Sequence, residues 1–185
     1  NIDFFVFPVA GVTTHPFWAI FEDESLIDDM VSLRLETVSL KPPVTKGKHW
    51  EYRILESQGN RHLVMATILE VGRPVVMPKG DAGGFEVAPN LYPLPRNHLV
   101  LWRELGRWVA CATRNGRPVY YQVLTVTELD RSAILELRCM LLQLQGQDLT
   151  EQLSGIVIWD LSVEPESREI LGRGLGMPVS VEEHP

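Results

Sequence analysis

The chain has 185 residues, of which 45% are hydrophobic and 22% are charged, and its formal net charge is −7. This is the composition of an ordinary soluble globular protein with enough apolar material for a core. The negative charge and the lack of a basic stripe argue against a nucleic-acid surface, and no run reaches the roughly 20 apolar residues that span a bilayer. Since the first residue is Asn1 and not Met, we expect the sequence to be cut from a longer protein.

The N-terminal third reads as strand, strand and helix. Residues 4–7 are expected to form a strand that is buried on both faces, and the aromatic run at 17–21 predicts a second strand after a break at 13–16. Residues 22–38 predict a helix, because acidic residues crowd its first turn, where the helix dipole favours negative charge. Its apolar residues, Leu33 among them, are expected to share one buried face.

A hairpin and a loop follow. Residues 50–56 alternate as in a half-exposed strand, with Leu55 breaking the alternation, and residues 62–70 predict a more buried partner strand. Residues 1–71 are therefore predicted to be a small α+β subdomain. Residues 72–96 are rich in proline and glycine, which is typical of a linker.

Three apolar runs at 99–102, 108–112 and 118–124 predict an antiparallel meander. Asn115 and Gly116 fit a two-residue turn between the second and third strands, because both tolerate positive φ, and Gly106 is the pivot of the first turn. Residues 127–145 predict a helix that begins at Thr127 or Asp130. This helix is apolar over a wide arc, so we expect it to pack flat against the sheet.

The remaining elements complete an α/β lobe. Residues 155–159 predict a buried strand parallel to the first strand of the meander. Residues 162–175 predict a helix with Pro165 in its first turn, and a last strand follows at 177–181. The order β-β-β-α-β-α-β is that of a ribonuclease H-like or actin-like half. The predicted fold class is α/β (α+β), with an actin-like lobe at 97–185 after the smaller α+β subdomain.

Residues able to carry chemistry are few. The histidines show no metal-ligand spacing, and Cys111 and Cys139 are interpreted as small apolar core residues. The acidic first helix is interpreted as a solvated face and not a metal site, and the glycine-rich stretch at 80–84 as a loop. No metal and no catalytic residue is predicted.

The turn after Trp102 is the most informative position. In actin-like ATPases this turn presents an Asp and glycines to phosphates and magnesium, and a Gly-Gly turn follows a later strand. Here Glu104 and Gly106 are the weak nucleotide-binding candidates, and residues 160–163 replace the Gly-Gly turn. We therefore expect no cofactor, with ATP and magnesium as the alternative.

Several motifs carry a resemblance to a known family. Residues 30–36, the Pro42-Pro43 stop and the strands at 50–56 and 62–66 resemble a small inserted subdomain. Residues 114–119 resemble an x-Asp-Gly-x-Pro turn, and residues 171–179 resemble a helix ending in Leu-Gly-x-Pro-Val. The chain thus resembles the cytoplasmic actin-like proteins of type IV pilus assembly (PilM type) and type II secretion (GspL type). It departs from them at both nucleotide loops and lacks the long helix before the second half.

The resemblance implies a non-catalytic scaffold at the cytoplasmic face of a bacterial inner-membrane assembly platform. Its partners would be other pilus or secretion proteins, including a peptide of an inner-membrane partner, and not nucleic acid. Contacts are expected at the hairpin edge and the acidic helix face, through Asp28, Asp29, Glu36, Trp50 and Tyr52. Two alternatives stay open: an ATPase or phosphotransferase that uses Glu104, and an unrelated α/β interaction domain.

Overall fold

The computed structural model describes residues 4–38, 49–70 and 84–185. The chain divides into two compact units, Asn1–Ala88 and Pro89–Pro185. The division falls inside the segment that the sequence predicts as a linker. The stretch at 80–83 and the Pro42-Pro43 stop lie outside the described residues.

The first unit contains a three-stranded antiparallel sheet in the order β2 (Val12–Ile20), β4 (Arg61–Leu69) and β3 (Trp50–Gln58). The central strand β4 is buried from residue 63 to 69, which confirms that it is the more buried hairpin strand. The register of β3 shifts at Leu55, the residue that breaks the alternation. The break predicted at 13–16 is wrong, because these residues lie within β2, where an outer strand tolerates Pro16.

A second, two-stranded sheet pairs β1 (Phe4–Phe7) in parallel with β5 (Gly84–Val87). Phe7 and Phe85 meet edge to face with ring centroids 6.0 Å apart. Val6 is exposed, so the expectation that β1 is buried on both faces is wrong. Strand β5 lies in the predicted linker, where the proline and glycine content hides a short strand whose partner is distant in sequence.

Helix α1 (Ile27–Thr37) packs on the three-stranded sheet through Ile27, Val31 and Leu35. It is shorter than predicted, because a 3₁₀ turn (Glu24–Leu26) precedes it and Asp23 caps that turn by accepting from the Ser25 N–H at 2.9 Å. The expectation that Leu33 belongs to the buried face is wrong. Its side chain points to solvent, since the buried positions recur every four residues and leave position 33 outside them.

The second unit contains a five-stranded sheet in the order β10-β9-β6-β7-β8. The predicted meander is present, with tight turns between its strands; β9 pairs with β6 in parallel and β10 pairs with β9 in parallel, as expected. The strands are β6 (His98–Glu104), β7 (Arg107–Arg114), β8 (Arg117–Val123), β9 (Gly155–Trp159) and β10 (Val179–Val181).

Two helices complete this unit: α2 (Arg131–Gln145) and α3 (Pro165–Leu175). Asp130 caps α2 by accepting from the N–H groups of Ser132 and Ala133 at 2.8 and 3.1 Å, so of the two candidate caps Asp130 is the correct one. Pro165 opens α3 as predicted. The helices pack closely because position 174 is glycine, where a Cβ would lie 2.8 Å from the Cδ1 atom of Ile134.

The buried arc of α2 is narrower than predicted. Leu137, Met140 and Leu144 are buried, whereas Leu135 and Leu142 are exposed. Cys111 is buried, as expected, but Cys139 is exposed, which corrects its assignment to the core. Periodicity alone overestimated the arc, because apolar residues fill most of this helix whichever side faces the sheet.

Candidate functional site

The turn after β6 reverses the chain in two residues. Glu104 and Arg107 still pair across the β6–β7 ladder, and only Leu105 and Gly106 lie between them, with φ of 52° and 78°. A Cβ placed on Gly106 would meet nothing within 4 Å. The positive φ of Gly106 is a backbone conformation that favours glycine at this position of a two-residue turn.

An ion pair joins this turn to the loop after β9. Strands β6 and β9 run in parallel with Trp102 opposite Trp159, so their C-terminal ends are neighbours. The Arg103 Nε lies 3.4 Å from the Asp160 Oδ2, and the Arg103 guanidinium stacks on the ring of Trp108 at 4.6 Å. The cation at the first loop thus lies against the carboxylate at the second.

Asp160 is held in its ionised form. It accepts hydrogen bonds from the Ser162 hydroxyl at 2.5 Å and the Ser162 N–H at 2.9 Å. The bond from the Ser162 hydroxyl is the largest cause that lowers the pKa of Asp160 below its ordinary value, and the positive charge of Arg103 adds to it. The carboxylate therefore already has donors and a counter-ion within its own unit.

Aromatic rings cover the same end of the sheet. The rings of Trp102 and Trp159 are buried, with centroids 5.7 Å apart, and the ring of Tyr92 meets both edge to face at 5.7 Å. His184 packs on Tyr92 and Trp159 with centroid distances of 5.0 and 5.3 Å. We call Tyr92, Trp102, Trp159 and His184 the aromatic cluster.

Glu104, the acidic nucleotide candidate, lies near this cluster. Burial, and to a smaller extent the negative charge of Glu104, raises the pKa of Tyr92. Gly106, the other candidate, is at the exposed tip of the turn. The structure therefore places Glu104 beside a phenol and Gly106 in solvent.

Leucines occupy the tips of both loops. Leu105 is 80% exposed on the turn after β6, and Leu161 is 63% exposed on the loop after β9. The sequence places both leucines in these loops, but it does not show that their side chains are exposed. Exposed apolar side chains on neighbouring loops are typical of a surface that contacts another protein.

The predicted interaction residues separate into two groups. Asp28 accepts a hydrogen bond from the Tyr52 hydroxyl at 2.5 Å, which links α1 to β3, and burial together with this bond raises the pKa of Tyr52. Asp29 and Glu36 are exposed on α1. Trp50, in contrast, is buried in the core beneath the helix, so its ring does not lie on the surface where we expected it.

The described residues hold neither a candidate metal site nor a candidate membrane-spanning helix. Among residues 4–38, 49–70 and 84–185, no three His, Cys, Asp or Glu side chains come together as metal ligands. Within the same residues, no helix combines the length and apolar content needed to cross a bilayer.

The order of the secondary-structure elements and the comparisons with known proteins define the fold class. The lobe has the β-β-β-α-β-α-β order of the ribonuclease H-like and actin-like proteins, and a smaller α+β unit precedes it. The chain has the actin-like fold, as the sequence predicts. No family model and no curated protein matches the sequence.

Solved structures give a more particular likeness. The chain is similar to a structure of the PilM-PilN type IV pilus biogenesis complex, with a TM-score of 0.58 and 14% identity, over 96% of this chain and 68% of that one. The predicted resemblance to the pilus-assembly proteins is thus confirmed at the level of the fold.

Two further structures score lower. The cytoplasmic domain of EpsL from Vibrio cholerae, an inner-membrane component of the type II secretion system, has a TM-score of 0.48 and 11% identity, over 96% of this chain and 67% of that one. A Bacteroides thetaiotaomicron protein with an actin-like ATPase fold and unknown function has a TM-score of 0.44 and 11% identity, over 96% and 66%.

Proposed function

We propose that this protein is a non-catalytic, actin-like adaptor of a bacterial type IV pilus or type II secretion platform, and that it acts by binding other proteins. The observation that carries the proposal is the closed pair of loops after β6 and β9. There Arg103 binds Asp160 and leucines occupy both tips. We propose that the protein works without a bound nucleotide.

The chemistry of phosphate binding supports this proposal. A triphosphate and its magnesium ion need backbone N–H groups that converge on the phosphates and a carboxylate that can reach the metal. The two-residue turn has few N–H groups to converge, and Asp160 is engaged by Ser162 and Arg103. Opening the site would break an ion pair and expose part of an apolar surface to a charged ligand, which is unfavourable.

We infer the class of partner from the fold. A structure with a similar fold is that of the PilM-PilN type IV pilus biogenesis complex. By analogy we propose that this chain binds the cytoplasmic segment of an inner-membrane component, at the cytoplasmic face of that membrane. The surfaces best suited are the leucine-tipped loops and the Asp28–Tyr52 side of the hairpin.

A thermal-shift measurement with ATP and magnesium tests the absence of nucleotide binding. We expect an unchanged Tm up to millimolar ATP. Binding would be detected, because a ligand at a hundred times its Kd would add about 2.7 kcal/mol of stability. The Glu104→Ala variant should give the same result. A rise in Tm with ATP that Glu104→Ala abolishes would overturn the proposal in favour of the ATPase alternative.

A binding measurement tests the leucine-tipped loops. Purified cytoplasmic segments of pilus and secretion inner-membrane proteins would be titrated against the wild type and against a Leu105→Asn/Leu161→Ser double variant. We expect at least one segment to bind the wild type, and the double variant to weaken it about tenfold, equal to about 1.4 kcal/mol. Leu135→Ser removes an equally exposed leucine from α2 and should not change the affinity. An equal loss of affinity in Leu135→Ser and in the double variant would contradict the assignment of the binding surface to the two loops.

A further inference from the structure

The helices of the second unit enclose a groove that the sequence did not reveal. It lies between α2 and α3 and has a volume of about 610 Å³. Its apolar walls include Leu141, Leu142, Leu153, Leu175 and Met177, and in the described part of the chain the charged side chains that line it are Arg138 and Arg173. An occupant of this groove should therefore combine apolar side chains with negative charge.

The two arginines supply positive charge at the groove. The Arg138 Nε donates to the Gly174 carbonyl oxygen at 2.9 Å, which links α2 to α3 at the groove. Arg173 pairs with Glu169 one helical turn away, and both side chains are well exposed. Such an exposed pair contributes little stability and exchanges readily for another carboxylate.

A matching surface lies along α1 and the last residue of the 3₁₀ turn that precedes it, in the first unit. Leu26, Asp29, Leu33 and Glu36 are spaced three, four and three residues apart, so they form one stripe along the helix. Leu26 and Leu33 are 52% and 65% exposed, although α1 buries its other face in the core. We call these four residues the acidic-apolar stripe.

We propose that the acidic-apolar stripe of one copy docks in the α2–α3 groove of a second copy of this chain. The stripe offers two leucines to the apolar walls and two carboxylates to the arginines of the groove, and Asp29 and Glu36 lie about 10 Å apart along the helix. The groove carries two cations and the stripe two anions, so the same chain supplies both sides of a charge-complementary contact. This inference goes beyond the adaptor role, and it does not depend on whether nucleotide binds.

The geometry sets the kind of assembly. The stripe and the groove are different patches, so the contact is heterologous, and every open complex keeps one unused stripe and one unused groove. Copies would add in a row or close into a ring. One helix in one groove buries less area than a standard interface, so association should require high concentration, about 10–500 µM.

Sedimentation velocity over this concentration range is the primary test. The weight-average mass of the wild type should rise with concentration. Leu142→Glu places a negative charge in the groove, and Leu33→Ser removes an apolar side chain from within the stripe. Each variant should stay monomeric. Leu135→Glu is the matched control, because Leu135 has the same 65% exposure as Leu142 on the same helix but does not line the groove, and it should associate like the wild type.

Mixing the variants distinguishes this contact from others. An equimolar mixture of Leu142→Glu and Leu33→Ser contains one intact groove and one intact stripe, so it should form dimers and nothing larger. The triple variant Arg138→Glu/Asp29→Arg/Glu36→Arg reverses charge on both surfaces, so it should regain the association that Arg138→Glu and Asp29→Arg/Glu36→Arg each lack alone. A wild type that stays monomeric, variants that associate like the wild type, or a mixture that remains monomeric would overturn the proposal. Groove occupation by a pilus or secretion segment with no self-association would overturn it as well.

Discussion

Two turns of the five-stranded sheet have nearly the same backbone and very different residues. Leu105 and Gly106 join β6 to β7 with φ of 52° and 78°, and Asn115 and Gly116 join β7 to β8 with φ of 55° and 80°. Asn adopts the left-handed conformation at low cost, whereas for Leu it costs about 1–2 kcal/mol. The second turn has the favourable residue and the first does not.

The contacts around the two turns also stabilise the second turn more than the first. The Asn115 N–H donates to the Asn97 side-chain oxygen at 2.9 Å, and Gly116 lies close to the Leu94 carbonyl oxygen. Leu105, in contrast, projects into solvent, and a Cβ on Gly106 would touch nothing. A hairpin that served only the fold would have Asn at position 105. The exposed, strained leucine therefore supports a functional role for the first turn.

The largest effect on stability is expected at Asn97, whose side chain accepts a hydrogen bond from the second turn. Asn97→Ala removes the acceptor of the Asn115 N–H and places alanine at a φ of 56°, so we expect the free energy of unfolding to fall by about 2 kcal/mol. Asn97→Gly removes only the hydrogen bond and should cost about half as much. Urea denaturation of both variants measures the difference. Equal losses would show that the left-handed conformation contributes nothing.

The glycines of the two turns should respond alike. Gly106→Ala and Gly116→Ala each force an L-residue to a φ near 80°, so each should lower the free energy of unfolding by about 1–2 kcal/mol. Gly116→Ala adds only ordinary van der Waals contacts at 3.5 Å and beyond. Thermal unfolding of the pair checks this expectation. A large cost at Gly116 alone would mean that the first turn relaxes easily, contrary to the strain argument.

Exchanging the residues at positions 105 and 115 should reverse the difference in backbone strain between the two turns. Leu105→Asn should raise the free energy of unfolding by about 0.5–1 kcal/mol, and Asn115→Leu should lower it by a similar amount. Chemical denaturation measures both. If Leu105→Asn destabilised the protein, Leu105 would have a structural role and the argument for a binding role would fail.

The smallest effect concerns pH at the ion pair beside the first turn. The pKa of Asp160 is lowered in the folded protein, so its ionised form stabilises the fold above the ordinary carboxyl pKa of 3.8. This contribution should be lost as the pH falls below about 4, towards the lowered value. Asp160→Asn keeps an acceptor for Ser162 but not the charge, so its stability should vary less with pH between 5 and 3. If the stability of the wild type and of Asp160→Asn changed equally with pH, Asp160 would not be the source of this pH dependence.

Local signals predicted much of the fold. Three apolar runs with Asn-Gly between two of them define the meander, Asp130 and Pro165 mark the starts of two helices, and Leu55 marks the bulge. Each is a preference of the residue itself or its immediate neighbours. The parallel pairing of β1 with β5 was missed, because it depends on contacts between distant segments that no local pattern encodes.

The site was predicted less well than the fold. Glu104 and Gly106 were correctly placed at the turn, but Arg103 and Asp160 are far apart in sequence and only the parallel pairing of β6 with β9 brings them together. The exposed leucines were misjudged for a different reason. Helical spacing identifies residues that share a face, yet it does not say whether that face meets the sheet, so Leu33 and Leu142 were assigned to the core.

The distribution of tryptophans has a practical consequence. Trp102, Trp108 and Trp159 are buried in the second unit, whereas Trp50 is buried in the first and the ring of Trp18 is stacked under Arg61 at 4.2 Å. Replacing Trp18 and Trp50 by phenylalanine would leave emission from the second unit alone. Fluorescence could then report whether the two halves of the molecule melt together or in sequence, without any attached dye.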